Sequence, residues 1–101
     1  QYHEQVLKGF GDDATVSIAK RDIIVYRYYS GSNPKGYWIT PYQYSNPISA
    51  LALDTTTNSA EHMTQFILKK GTLLIEGKVV PLNGQIGGGY QFYIWNLESL
   101  L

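Results

Sequence analysis

The sequence predicts a small α+β domain dominated by β-structure. Three observations carry that expectation. Short β-forming runs, DIIVYRYY, TLLIEGKVV and YQFYIW, are each bounded by Gly, Pro, Asn or Ser turn residues. Helical signals are brief, the clearest being NPISALALD. The chain of 101 residues carries 9 Tyr, 2 Trp and 3 Phe, residue types that suit pleated, half-buried surfaces. With 44% apolar residues it can build one modest core without metal or disulfide support.

Taken in order, YHEQVLKG at the start reads as an amphipathic lead of a helical turn or two, broken at Gly9-Phe10-Gly11. ATVSIAKR alternates weakly and leads into a strand over Ile23 to Tyr28. SGSNPKG, Ser30 to Gly36, is turn by composition, and Tyr37 to Thr40 resumes extended structure before Pro41, giving a hairpin or a strand-loop-strand. Asn46-Pro47 is a helix start, with an Asn cap and Pro at the first helical position, and a helix of roughly two turns is expected over Pro47 to Asp54. AEHMTQFILKKG tolerates either helix or strand. A strand over Met63 to Leu68 is preferred, because Thr64, Phe66 and Ile67 favour it and Lys69-Lys70-Gly71 then turns into a second run ending at Pro81. Gly77 interrupts that run in the manner of a bulge or bend. The last strand, Tyr90 to Trp95, follows the triple glycine Gly87-Gly88-Gly89. No repeat, charge block or linker divides the chain, so 1–101 reads as one domain, with 1–20 a lead and 21–95 the functional core.

Charge narrows function. Eight Lys plus Arg against eight Asp plus Glu give a formal net charge of zero, so no phosphate-backbone attraction is encoded and no nucleic-acid partner is expected. The absence of cysteine removes thiol catalysis, disulfides and thiolate metal sites, and suits a domain that unfolds and refolds in transit. Apolar runs are too short to span a bilayer. Gln1 rather than Met at the start suggests a piece of something longer. His3 and His62 lack partners at ligand spacing, so no metal is assigned. Ser30, Ser32 and Thr40 lack a nucleophile-elbow context, and GQIGGG is neither GxGxxG after a strand nor a phosphate loop ending in Lys-Ser/Thr.

Two polar residues stand out. Period-two alternation puts Arg27 on the face of Ile23, Val25 and Tyr29, where a guanidinium needs partners. It either pairs with an acid such as Asp12, Asp13 or Glu76, or offers its planar fork to a phosphate or carboxylate. Gln91 shares a face with Tyr93 and Trp95; it is either a cross-strand hydrogen bonder or a ligand contact. The three glycines before it suit positive φ or the close approach of something to the backbone, and a ligand lying there is the functional reading.

The succession VYRYYSG, KGYWITP, NSAE and GTLLIEGKVVPLNGQIGGGYQFYIW, spanning Val25 to Trp95, resembles the C-terminal toxin domains of bacterial polymorphic toxin systems. More narrowly, it is similar to the tuberculosis necrotizing toxin type of NAD glycohydrolase, related to the ADP-ribosyltransferase fold. The shared features are an Arg-aromatic-x-Gly stretch, a Gly-aromatic strand ending in a small hydroxyl residue and Pro, and a late Gly-Gly-Gly-x-Gln. The resemblance implies a split antiparallel sheet with one or two short helices and cleavage of the nicotinamide N-glycosidic bond of NAD or NADP, used as substrate rather than prosthetic group. It implies Arg27 and Gln91 as catalytic residues, Arg27 clamping the pyrophosphate and Gln91 holding the nicotinamide ribose or orienting water. Tyr28, Tyr37, Trp38, Thr40, Gly88 and Gly89 would bind substrate, with Tyr37 or Trp38 stacking, only one of which can line the cleft. Typical ADP-ribosyltransferases carry Glu where Gln91 stands, which favours hydrolysis over transfer unless Glu76 folds near the site. A cognate immunity protein, a delivery protein on the N-terminal side, export by the producer and action in a target cell's cytoplasm during interbacterial competition follow from the same resemblance. An ADP-ribosyltransferase and a non-catalytic β-rich binding module are the alternatives, with a nuclease disfavoured by the neutral charge.

Overall fold

The alternating apolar runs find their partners in two antiparallel sheets. The computed structural model describes residues 10, 14–32, 34–53, 55–56 and 58–101; the expected helical lead over Gln1 to Gly9 lies outside them. The larger sheet is built from β1 (Thr15–Ile18), β5 (Leu73–Lys78), β6 (Tyr90–Ile94) and β3 (Trp38–Ile39), in the spatial order β1-β5-β6-β3. The smaller pairs β2 (Ile23–Tyr29) with β4 (His62–Leu68). β3 links them, because beyond its pairing with β6 it makes a single bridge, Thr40 to Tyr26, onto β2. This is the split antiparallel arrangement expected, and the Ser30 to Gly36 segment is a strand-loop-strand connection rather than a tight hairpin.

β4 was ambiguous in the sequence, and tertiary burial resolves it as a strand. Leu68 is fully buried, and paired β2 gives the alternation its inward face. The outer edge of β4 is covered by the C-terminus: Ile67 and Leu101 exchange backbone hydrogen bonds at 2.9 and 3.1 Å, and the Lys69 N–H donates to Ser99. A short 3₁₀ turn, Leu97–Ser99, brings that tail into position.

Two expectations are corrected. Gly77 is no bulge: the β5–β6 register runs unbroken from Leu74↔Ile94 to Lys78↔Tyr90, with Gly77 directly opposite Gln91. The helix α1 covers only Pro47–Ala50. Asn46 caps it as expected, its Oδ1 accepting from the Ser49 N–H at 3.2 Å, but Ala52 turns left-handed at φ 50 and the Ala52 and Leu53 N–H groups close back onto Ser49 and Ile48. That is a Schellman ending, reached one turn early with Ala where Gly is usual. Outside 21–95, β1 and the buried Ala19 belong to the sheet, and buried Ser99 and Leu100 follow residue 95.

The main core fills the space between the sheets, with Val25 and Leu68 from the smaller one against Ile39, Leu74, Phe92 and Ile94 from the larger. Each fully buried side chain of this size contributes roughly 1.5–3 kcal/mol. A second cluster, Phe10, Ile75 and Tyr93 with Trp38 and Ala14, lies on the other face of the larger sheet. β6 therefore separates two apolar layers, which is why four successive residues, Gln91 to Ile94, are buried.

Candidate functional site

The site region begins where β2 and β3 part. Tyr26 and Thr40 exchange backbone hydrogen bonds at 2.7 and 2.9 Å, and the Trp38 carbonyl, two residues away, points the same way toward β2. No backbone N–H meets it there. Instead Arg27 Nη1 donates to the Trp38 carbonyl at 3.2 Å, so the guanidinium fills the fork between the strands. On the β2 side, the Tyr28 carbonyl is satisfied by Asn58 Nδ2 at 2.9 Å.

Gly36 makes this possible. A Cβ at that position would run into the Arg27 guanidinium, so glycine leaves it room. Burial lowers the Arg27 pKa from its ordinary value, with no carboxylate among the described residues acting against that penalty, although a guanidinium stays charged regardless. Glu76 does not pair with it; its carboxylate accepts the Tyr90 hydroxyl at 2.7 Å. Asp12 and Asp13 lie outside the described residues. Arg27 Nε is buried without a hydrogen-bond partner, and among the described residues Nη2 has none either. A half-buried cation is thus held, among the described residues, by one carbonyl while most of its planar donor set is unused.

The face of the larger sheet opposite the main core gathers other expected residues. Directly opposed residues share a face, so the register groups Gln91 and Tyr93 of β6 with Trp38 of β3, and carries Thr40 to the same side. Gln91 is buried, and Gly77 opposite it contributes no side chain. Trp38 packs edge-on to Tyr93 at 4.9 Å and lies 5.4 Å from Phe10, while Tyr37 is exposed, 6.0 Å from Tyr93. Trp38 is therefore the ring on the face of Gln91, and Tyr37 the ring at the rim. Arg27 does not share that face: it leaves β2 on the side of Val25, between the sheets, and only its tip reaches the β3 backbone. Glu76, opposite Phe92, is also on the inter-sheet side, away from Gln91.

Thr40 and Tyr28 act within a network of hydroxyls. Thr40 Oγ1 donates to the Tyr90 carbonyl at 2.7 Å, and Tyr44 Oη accepts from the Tyr90 N–H at 2.8 Å, so both backbone groups just before Gln91 are pinned by side chains. Tyr28 Oη accepts from the Tyr44 N–H at 2.8 Å, tying the loop after β3 to the end of β2. Burial raises the Tyr90 pKa to about 12, helped by the hydrogen bond and negative charge of Glu76 and by Tyr42. Tyr44 and Asn58 carry positioning roles that no motif announced; each lies in a loop where only tertiary contact reveals the partner.

The triple glycine is packed against the chain itself. Gly87 and Gly89 donate to the Ser49 and Ala50 carbonyls at 2.8 and 2.9 Å, and a Cβ on them would meet the Val79 carbonyl at 2.7 Å and the Ala50 carbonyl at 2.8 Å. Gly88, at φ 93, faces open space and donates to Val79. The close approach expected here is that of the protein's own carbonyls at Gly87 and Gly89, and only Gly88 presents an uncovered surface. Among the described residues no three His, Cys, Asp or Glu side chains come together as a metal site, and no helix is long and apolar enough to cross a membrane.

No protein-family model matches the sequence, and no curated protein does. Solved structures sharing the fold include the following two. One is Tne2 in complex with Tni2, at a TM-score of 0.75 and 14% identity over 92% of this chain and 90% of that one. The other is Tse6 in complex with Tsi6, at a TM-score of 0.75 and 19% identity over 97% of this chain and 80% of that one. At such identities the likeness establishes a shared architecture: the chain is a small β-dominated domain of two antiparallel sheets, of the fold seen in Tne2 and Tse6.

Proposed function

We propose that the chain is the catalytic domain of a bacterial toxin that hydrolyses NAD or NADP at the nicotinamide N-glycosidic bond. The observation that carries this reading is Arg27: a half-buried guanidinium with no carboxylate partner among the described residues, held by the Trp38 carbonyl against Gly36, with Nη2 unused among them. An anion is the natural complement of that donor set, and a pyrophosphate matches its planar geometry. The sequence resemblance supplies the substrate class. The fold likeness supports it, and both neighbours being solved with a second protein bound supports an immunity partner.

In this reaction the bond between the ribose C1′ and the nicotinamide nitrogen breaks, its electron pair going to the nitrogen, and neutral nicotinamide leaves. Water adds to C1′ and releases one proton, giving ADP-ribose. Positive charge passes from the ring to the ribose, so preorganised dipoles and limited water matter more than a strong base. Arg27 holds the pyrophosphate, and exposed Tyr37 stacks at the rim. Gln91, fixed through the pinned Tyr90 backbone, orients the ribose or the water. Glu76 is engaged by Tyr90 and leaves β5 on the side away from Gln91, which favours hydrolysis over ADP-ribosyl transfer. Delivery by a longer protein and action inside a target cell belong to the same proposal.

The test is nicotinamide release from NAD and NADP by the purified domain, with products resolved by chromatography, alongside Arg27→Ala and Gln91→Ala checked for fold by circular dichroism. Equal nicotinamide and ADP-ribose, reduced about 10²-fold or more in each folded variant, is the expected result. Turnover only with added lysate, with the label ending on a macromolecule, would identify a transferase. No consumption in either condition would leave a binding module.

A further inference from the structure

Among the described residues, the larger sheet ends in an open edge at β1. Ala19 donates to the Thr72 carbonyl and accepts from the Gly71 N–H, so odd-numbered positions of this segment bond to β5. The N–H and C=O groups of Val16 and Ile18 therefore point out of the sheet, and neither residue has a hydrogen-bond partner there among the described residues. Unblocked edges of this kind pair readily with another strand. The side chains reinforce the backbone. Val16, Ile18 and Leu73 are 66%, 57% and 50% exposed, and the register sets them on one face.

Charge identifies the kind of partner. Lys20, Arg21, Lys69 and Lys70 are all exposed in the two turns at the Ile18 end of this strip, and none forms an ion pair among the described residues. Lys20 and Lys70 line a shallow groove with Val16, Ile18 and Leu73. The nearby carboxylate, Asp22, is occupied: its Oδ1 accepts the Lys70 backbone N–H at 2.9 Å. In a chain of zero formal net charge, half of the eight cations stand at one end of one open strand.

We infer that β1 is a docking edge for an acidic β-strand of another protein, which extends the larger sheet while its apolar side chains cover Val16, Ile18 and Leu73 and its carboxylates meet Lys20 and Lys70. Main-chain bonds supply affinity and the cationic end supplies selectivity and register. A second copy of this chain is the competing occupant, since Asp12 and Asp13 precede β1 in the sequence, and the self-association outcome below separates the two. The inference stands apart from the proposed NAD chemistry, and no NAD turnover is needed to test it.

The probe is a capped octapeptide alternating valine and glutamate, with a valine–lysine counterpart, titrated into the whole chain and read by fluorescence anisotropy and amide-resolved NMR. Saturable binding of the acidic peptide is expected, with the Val16 and Ile18 amides shifting and becoming protected from exchange. The double substitution Lys20→Glu, Lys70→Glu should weaken binding about tenfold or more at unchanged thermal stability. Val16→Pro, which removes only an outward N–H, should do the same if it folds; the charge variant decides the matter if it does not. No binding, equal binding of the lysine peptide, or shifts away from β1 would overturn the inference. So would concentration-dependent self-association that protects Val16 and Ile18 in the free protein, which would assign the edge to a second copy.

Discussion

Glycine does two different jobs in this molecule, at the Arg27 fork and in the loop before β6. At the fork, Gly36 makes way for a guanidinium whose donors are left largely unused. In the loop, Gly87 and Gly89 make way for the carbonyls of Ser49, Ala50, Val79 and Val80, and the space is already full. A missing Cβ announces that something comes close without saying what. Only the identity of the approaching atoms separates a candidate ligand site from a packing device.

The contrast can be broken by adding the missing atoms. Gly89→Val drives side-chain carbon into the Ala50 carbonyl and the Tyr44 ring, neither of which can retreat without losing a hydrogen bond to this loop. It should cost about 3 kcal/mol in chemical denaturation, with activity per folded molecule less affected. Gly36→Ala is the opposite case. Its Cβ meets the movable end of Arg27, so the chain should remain folded while the guanidinium leaves the fork, and nicotinamide release should fall about tenfold, equivalent to about 1.4 kcal/mol. Equal losses of stability in both variants would erase the distinction.

The Tyr90–Glu76 pair sharpens the loop side of the comparison. Tyr90 is raised to about 12 against an ordinary value of 10.0, so the folded chain favours its neutral form. The associated stability is fully present below about pH 10 and is lost as pH rises through about 12. Tyrosinate absorbance should show one late-titrating group, moved part of the way back toward its ordinary value in Glu76→Gln, because burial remains. The smallest effect is expected at the end of α1, where Ala52→Gly relieves φ 50 and should raise stability by a few tenths of a kcal/mol, the strain relief partly offset by unfolded-state entropy. A decrease would mean that the buried Ala52 methyl contributes more through packing than its backbone costs.

Much of the strand plan was legible because it depends on local properties. Ile23 to Tyr28, Met63 to Leu68 and Tyr90 to Trp95 are each within two residues of the observed strands, since β-branched and aromatic runs between turn residues leave few alternatives. That Arg27 shares its face with Ile23 and Val25 was readable from alternation alone; that this face turns inward was not. The edge strand β1 was not, because TVSI is short and its exposed apolar residues carry no inward pattern. Helix α1 was overestimated because its ending depends on a left-handed Ala, and Gly77 was misread because a glycine in a regular ladder looks the same in sequence as one in a bulge. In the candidate site, residue identity was visible but grouping was not. Nothing local says that Gln91, Thr40 and Trp38 share one face while Arg27 and Glu76 leave on another.

By itself, then, the sequence determined where this chain is extended, where it turns, and that it carries a lone arginine on an apolar strand face. Those are consequences of near-neighbour sterics and side-chain period, which act over a few residues. The tertiary structure decided the rest: that the arginine stands in a fork with no carboxylate among the described residues, that the glycine loop is filled by the chain's own backbone, and that β1 is, among those residues, an open edge. Each depends on which distant carbonyl, carboxylate or strand arrives alongside, and that is set by pairing across the whole chain.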